Sequence, residues 1–137
     1  MCSSDLAEIK KQLPKHNFHL ESNADLVTCK SLEFYCKDFL LSNIFSYICL
    51  SPKELKVAEK VAKVGIYPGK YDIKVVTDLD KVGVDMLEFA TMLMPLSTYD
   101  YEKDIEIRQK VWNYCTEHNL LYSGRLHVEI WGKRRKV

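Results

Sequence analysis

Apolar residues along the chain recur at two spacings, which predict helices and strands in alternation. Leu6, Ile9 and Leu13 follow helical spacing behind Asp5, a good N-cap, so a first helix is predicted over about Asp5 to Leu13. The same reasoning predicts helices at 54–64, at 100–118 and from Asp78 or Asp80 to about Ala90, and strands at 16–22, 46–50, 71–77, 91–94 and 125–131. The final strand is predicted from strict alternation of apolar and polar residues, which places His127 on the face opposite its apolar neighbours.

Strands that alternate with helices indicate an α/β domain with a parallel sheet and right-handed crossovers. No linker or internal repeat interrupts the pattern, so residues 1–137 are predicted to form one domain. Ligands of such sheets gather beyond the carboxyl ends of the strands. The segments expected there are 22–24, 51–53, 77–78 and 95–97.

Composition narrows the class of protein. The chain is 47% hydrophobic and 28% charged with a net charge of +1, which is ordinary for a globular domain and argues against a chain-wide nucleic-acid surface. Five cysteines, an odd number without any C-x₂-C spacing, indicate reduced thiols and a cytoplasmic location. The longest apolar stretch, 39–50, is too short and too polar to span a membrane, so no membrane partner is expected.

Three short segments have both a functional and a purely structural interpretation. Ser51-Pro52-Lys53 lies between a strand and a helix, where it faces an anionic or polar ligand or simply starts the helix, with Ser51 as N-cap. His127 is either a site residue or a solvent-facing strand histidine. The basic run 133–136 binds phosphate, or RNA, or is a solvated tail.

Four segments in register resemble one enzyme family. They are Leu20-Glu21-Ser22-Asn23-Ala24, Ser51-Pro52-Lys53, Met94-Pro95-Leu96-Ser97 and the carboxyl-terminal stretch Gly124 to Val137. They are similar to the E-T-N-G, S-P-K, Q-P-M-S and terminal segments of 7-carboxy-7-deazaguanine synthases. These are radical S-adenosylmethionine enzymes of queuosine and deazapurine biosynthesis.

The resemblance implies a fold, a reaction and cofactors. The fold would be a partial (β/α) barrel lacking its amino-terminal strands, of which this chain forms roughly the carboxyl-terminal two-thirds. Family members use S-adenosylmethionine, a [4Fe–4S] cluster and Mg²⁺ to convert 6-carboxytetrahydropterin into 7-carboxy-7-deazaguanine. The implied ligand is a pterin-like small molecule, and the implied assembly is a homodimer.

Individual roles carry over by position. Ser22, His127 and the carboxylate of Val137 match substrate-binding residues. The positions that match S-adenosylmethionine-binding residues are Ala24, Ser51, Pro52, Lys53, Met94, Pro95, Leu96 and Ser97. Ala24 stands where the family has glycine, so a positive φ at this position would cost about 1 kcal/mol.

The cluster motif C-x₃-C-x₂-C is not found in this sequence. Because an open [4Fe–4S] site needs three thiolates, no metal ligands are assigned and the chain is expected to be inactive as a lyase by itself. A separate chain carrying the cluster segment is then an expected partner. The alternative is a non-catalytic α/β binding module, or a degenerate remnant, that binds a purine- or pterin-like ligand or a partner chain.

Overall fold

A computed structural model of the chain describes residues 3–24, 45–64 and 71–132. The helices are α1 (Ser3–Gln12), α2 (Leu55–Val64), α3 (Tyr101–His118) and α4 (Leu126–Trp131), and a 3₁₀ helix spans Val84–Phe89. The strands are β1 (Phe18–Ser22), β2 (Phe45–Leu50), β3 (Tyr71–Thr77), β4 (Met92–Pro95) and β5 (Leu121–Tyr122). All four strand pairings are parallel, in the order β1-β2-β3-β4-β5, which confirms the α/β class.

The chain forms two compact units, an amino-terminal unit of Met1–Ile73 and a carboxyl-terminal unit of Lys74–Val137. Strand β3 contributes to both units. Its residues Tyr71–Ile73 pair with β2, and its residues Lys74–Thr77 pair with β4.

In the amino-terminal unit, β2 follows the buried pattern of a central parallel strand. Ile48 and Leu50 project from one face and are buried, and Leu50 pairs with the buried Ile73 of β3. Helix α2 contributes Ala58 and Val61, which are three residues apart and fully buried. Burial of apolar surface contributes about 25 cal/mol of free energy per Å² removed from water, which stabilises these elements relative to the unfolded chain.

In the carboxyl-terminal unit, α3 packs on β4 and β5. The helix begins where its sequence chemistry predicts, because the Asp100 side chain accepts a hydrogen bond from the Lys103 amide at 3.3 Å. It ends at Asn119, which adopts the left-handed conformation with φ of 54°. Val111 of α3 and Leu93 of β4 have no exposed surface and form the centre of this core.

The helix predicted between Asp78 and Ala90 is wrong. The Asp78 carboxylate instead accepts three backbone N–H bonds, from residues 80, 81 and 82, which close a tight turn. Gly83 follows with φ of 71°, and a Cβ there would lie 2.4 Å from the carbonyl oxygen of Val76. Only glycine fits this left-handed position, and the chain continues as a 3₁₀ helix rather than an α-helix.

The strand predicted at 125–131 is also wrong. Residues Leu126–Trp131 form α4, and the last described strand is the two-residue β5. Alternation over so few residues also puts Leu126 and Ile130 four apart, on one side of a helix. The side chains of Leu126 and Ile130 are 66% and 57% exposed, whereas the predicted strand would have buried them in the core.

Smaller differences concern helix starts. Helix α1 begins at Ser3, so Asp5 lies within its first turn rather than at its N-cap. Within the described residues no helix is both long and apolar enough to cross a membrane.

Candidate functional site

Two strand ends meet in the amino-terminal unit. Ser51, which follows β2, donates its backbone N–H to the carbonyl oxygen of Ser22 at the end of β1, at 2.7 Å. The Ser22 hydroxyl accepts from the backbone N–H of Ala24 at 3.1 Å, and Ala24 is buried with φ of 63°. Ala24 therefore has the left-handed backbone that costs a residue with a Cβ about 1 kcal/mol. The Ser22 hydroxyl closes this turn.

The Ser51-Pro52-Lys53 segment is not a helix start. Helix α2 begins at Leu55, where the Glu54 carbonyl accepts the first amide bonds of the helix. The structural interpretation of Ser51 as an N-cap is therefore wrong. Ser51 is half-buried, Pro52 is buried and Lys53 is exposed, so the segment forms a strand-end loop.

A polar sheet face, which sequence reasoning missed, lies on β1 to β3 of the same unit. Its residues are His19, Tyr47, Cys49 and Asp72, which project to one side because His19 pairs with Tyr47 and Cys49 pairs with Asp72. The Tyr47 hydroxyl donates a short hydrogen bond to Asp72 Oδ2, and the His19 and Tyr47 rings stand edge to face at 5.5 Å. The available signal was the ionisable side chains of His19, Tyr47 and Asp72 within strands that are rich in apolar residues.

The chemistry of Tyr47 follows from these contacts. Burial and the bond to the Asp72 carboxylate both raise the pKa of Tyr47 far above its usual range. The phenol therefore stays protonated and acts as a hydrogen-bond donor at neutral pH.

In the carboxyl-terminal unit, the ends of β3 and β4 are joined in the same way. The Leu96 amide donates to the Thr77 carbonyl at 2.8 Å. Beyond β4 the chain turns around the carboxylate of Asp104, which is only 5% exposed. Its Oδ2 accepts from the Ser97 hydroxyl at 2.8 Å, and its Oδ1 accepts from the amide and the hydroxyl of Thr98, both at 2.7 Å.

These bonds decide the ionisation of Asp104. Burial raises the pKa of Asp104, but the hydrogen bonds from Thr98 and Ser97 outweigh it and hold the pKa below its usual range. The carboxylate is therefore charged at neutral pH and ties the loop after β4 to α3. Of the predicted cofactor segment 94–97, Pro95 is buried and the other residues are half-buried.

A narrow cleft adjoins this loop. It is lined by Pro95, Leu96, Ser97, Asp104, Arg108, Arg125, Val128 and Glu129. The cleft brings the end of β4 together with one arginine from α3 and one that immediately precedes α4. Sequence reasoning did not single out either arginine, because nothing local to each shows that they share a cleft.

The remaining predicted site residues lie in the carboxyl-terminal segment of the chain. His127 lies in α4, so its predicted position on a strand face is wrong. Val137 and the basic run 133–136 lie outside the described residues.

The [4Fe–4S] cluster of the resembled family requires three cysteine thiolates as ligands. The described cysteines are Cys49 on β2 and Cys115 on α3, both buried, and burial raises the pKa of the Cys115 thiol. Two such thiols do not fit a cluster that needs three thiolates. Across ranges 3–24, 45–64 and 71–132, no group of three or more His, Cys, Asp or Glu side chains is arranged to hold a metal ion.

Comparisons with known proteins add no relative: no family model, curated protein or solved structure matches the chain. The interpretation of the site therefore depends on its geometry and on the order of its motifs.

Proposed function

We propose that this chain is the carboxyl-terminal part of a protein like 7-carboxy-7-deazaguanine synthase, built as a partial (β/α) barrel. In this proposal Ser22 contacts the pterin-like substrate, and Ala24 and Ser51–Lys53 contact S-adenosylmethionine. The observation that carries the proposal is the backbone of Ala24, buried and left-handed at the end of β1.

The conformation of Ala24 is informative because it is costly. A positive φ is uncommon for residues other than glycine, and alanine pays about 1 kcal/mol to adopt it. The resembled motif has glycine at this position. A left-handed backbone, which favours glycine, at the position where the motif has glycine supports the motif assignment.

The neighbouring strand end supports a ligand site. The backbone bond between Ser51 and Ser22 brings the second motif beside the first, at the carboxyl ends of adjacent parallel strands. These ends are where α/β sheets bind ligands.

The polar sheet face supports the barrel. Parallel sheets are usually covered by helices on both faces and carry apolar side chains on each. His19, Tyr47 and Asp72 depart from this rule on one face. The interior of a partial barrel, facing a polar ligand, accounts for such residues, whereas a helix packed on that face would have to bury ionisable groups at high cost.

The cluster is assigned to another polypeptide segment, since the described thiols do not fit it. We propose that this segment resides on a partner chain, and that the polar sheet face and the strand ends complete the site when the two associate. A homodimer of the completed enzyme is part of the same proposal.

Binding measurements test the proposal directly. Isothermal titration of the purified chain with S-adenosylmethionine should give saturable binding, and Ser51→Ala should weaken it by about tenfold, the loss expected for one good hydrogen bond. Ser46→Ala is the matched control, because Ser46 is an exposed serine of β2 whose hydroxyl donates to the Phe18 carbonyl and lies outside the strand-end segments. Loss of binding in both variants, or no binding in the unmodified chain, would contradict the proposal.

Reconstitution tests the division between two segments. With iron and sulfide under anaerobic conditions, the chain alone should stay colourless, and a mixture with a co-expressed C-x₃-C-x₂-C segment should develop cluster absorbance and turn over 6-carboxytetrahydropterin. DNA upstream of the coding sequence is the first place to look for that segment. A reassembled enzyme that binds both ligands yet makes no product would refute the assigned activity.

The mismatch of the two buried thiols favours a second candidate, a non-catalytic α/β module that binds a purine- or pterin-like ligand or a partner chain. A chain that binds 6-carboxypterin without S-adenosylmethionine would support this candidate over the first.

A further inference from the structure

The cleft beyond β4 has the size of a single functional group. Its enclosed space holds about one water molecule, so it can admit a carboxylate or phosphate oxygen but not a whole ligand. The surrounding elements are a strand end, α3 and the start of α4, all within the carboxyl-terminal unit.

Two guanidinium groups line this cleft. Arg108 and Arg125 are both half-buried, and in the described part of the chain neither guanidinium forms an ion pair with a carboxylate, although the charge of Arg108 also acts on the Tyr122 phenol. Each guanidinium offers five N–H donors in a planar fork that matches carboxylate and phosphate oxygens. Two of them at one partly buried cleft repel each other unless an anion lies between them.

The carboxylates of Asp104 and Glu129 bring negative charge to the cleft, but neither forms an ion pair with the arginines, so the guanidinium N–H donors still lack a direct partner among the described residues. Both oxygens of Asp104 already accept hydrogen bonds from Ser97 and Thr98. Glu129 is exposed and lies beyond 4 Å from either guanidinium, with no ion pair to them. The carboxylate of Glu129 instead lies beside Gly124, 3.6 Å from the position a Cβ would take there.

An aromatic surface continues from the cleft. Arg108 also borders an open surface formed with Gln109, Trp112, Asn113 and Tyr122. The Trp112 and Tyr122 rings stand edge to face at 5.2 Å, and Trp112 is 57% exposed. A ligand whose oxyanion enters the cleft would place its ring or apolar body against this pair.

We propose that Arg108 and Arg125 form a binding site for the oxyanion, carboxylate or phosphate, of a small molecule whose aromatic or apolar part contacts Trp112. The resemblance assigns no role to either arginine, and the inference stands without the proposed function. The two fork-shaped donors bind the anion from both sides, and Ser97, held by Asp104, fixes the wall of the cleft between them.

Tryptophan fluorescence can measure this binding. The unmodified chain is titrated with inorganic phosphate, acetate and benzoate at constant ionic strength set by chloride. Benzoate should bind more tightly than acetate because its ring reaches Trp112, and the tighter of benzoate and phosphate identifies the class of oxyanion. Absence of saturable binding for all three probes would overturn the proposal.

Variants test the residues. Arg108→Gln and Arg125→Gln should each weaken binding of the best probe by about tenfold or more, as expected for loss of a charge-assisted pair of hydrogen bonds. Lys110→Gln is the matched control, because this exposed cation of the same helix pairs with Glu106 and does not line the cleft. An equal loss in Lys110→Gln would show a non-specific charge effect and refute the site.

A further variant remains informative if an arginine variant does not fold. Glu129→Gln removes the nearest exposed negative charge and should strengthen anion binding by about twofold to threefold. Unchanged or weaker binding would contradict the proposed position of the anion. Ser51→Ala should leave these titrations unaltered, so failure of the oxyanion site and failure of the proposed function are distinguishable.

Discussion

Asp104 gives the sharpest test of how the loop after β4 is held. Asp104→Asn preserves the shape of the side chain but removes its charge and replaces one acceptor oxygen with a donor NH₂ group. The new donor faces either the Ser97 hydroxyl or the Thr98 amide, both of which now donate to the carboxylate. With the NH₂ group toward Ser97, the Ser97 hydroxyl rotates to accept from it while the remaining oxygen still accepts from Thr98, so three charge-assisted hydrogen bonds become neutral ones.

The magnitude follows from those contacts. Hydrogen bonds to a charged group contribute about 1.5–3 kcal/mol and neutral ones about 0.5–1.5 kcal/mol, so each of the three bonds loses about 1 kcal/mol. We expect Asp104→Asn to lower the free energy of unfolding by about 3 kcal/mol. With a urea m-value of about 1–3 kcal/mol per M, the midpoint should fall by about 1–3 M.

Fluorescence is the appropriate assay because both tryptophans, Trp112 and Trp131, lie in the carboxyl-terminal unit. Urea titrations of the variant and of Asp85→Asn, an exposed control in the same unit, would be compared with the unmodified chain. A loss below about 1 kcal/mol for Asp104→Asn, or an equal loss for Asp85→Asn, would refute the reasoning.

The pH dependence supplies an independent check with a defined sign. The folded-state pKa of Asp104 lies below its unfolded value of about 3.9. The network therefore stabilises the fold fully above that unfolded value, and its contribution is lost as the pH falls through the folded pKa. The stability difference between the unmodified chain and Asp104→Asn should shrink on acidification below about pH 4, and a constant difference would contradict the assignment.

Three further predictions concern the backbone and the polar sheet face. Gly83→Ala should destabilise the chain by about 2–4 kcal/mol in urea unfolding, since it adds a backbone clash to a positive φ, whereas Gly132→Ala, which has open space around it, should cost about 1 kcal/mol. Ala24→Gly should change stability by less than about 0.5 kcal/mol, because relief of strain offsets the lost methyl and the added chain entropy, while Ala58→Gly in α2 should cost about 2 kcal/mol. Tyr47→Phe should lower the free energy of unfolding by about 1 kcal/mol. Because the Tyr47 phenol is still protonated at about pH 11, the variant and the unmodified chain should have the same tyrosinate absorbance at that pH. A smaller absorbance in the variant would show that Tyr47 has an ordinary pKa.

Sequence alone predicted the bounds of those elements whose hydrophobic pattern and terminal residues indicate the same structure. Helix α3 was predicted almost to the residue, because the Asp100 side chain accepts from the Lys103 amide and Asn119 readily adopts the left-handed backbone that ends the helix. The strand β3 was predicted at the observed bounds, since four of its seven residues, Ile73, Val75, Val76 and Thr77, are β-branched.

The predictions for the segment after β3 and for residues 125–131 were wrong because their sequence patterns are short or fit more than one structure. The turn after β3 depends on whether a Cβ at Gly83 fits against the carbonyl of Val76, and no local pattern contains that distance. In 126–131, strand and helix patterns coincide, and packing of neighbouring elements decides between them.

The sequence by itself determined the alternation of strands and helices, the parallel sheet they form and the strand-end segments on which the motifs lie. Only the tertiary structure decided that the Tyr47 phenol meets Asp72, that Asp104 organises the loop after β4 and that Arg108 and Arg125 share a cleft. Propensity and capping act over a few residues, whereas side-chain convergence depends on strand register and helix packing between distant parts of the chain. Those contacts exist only once the backbone has folded.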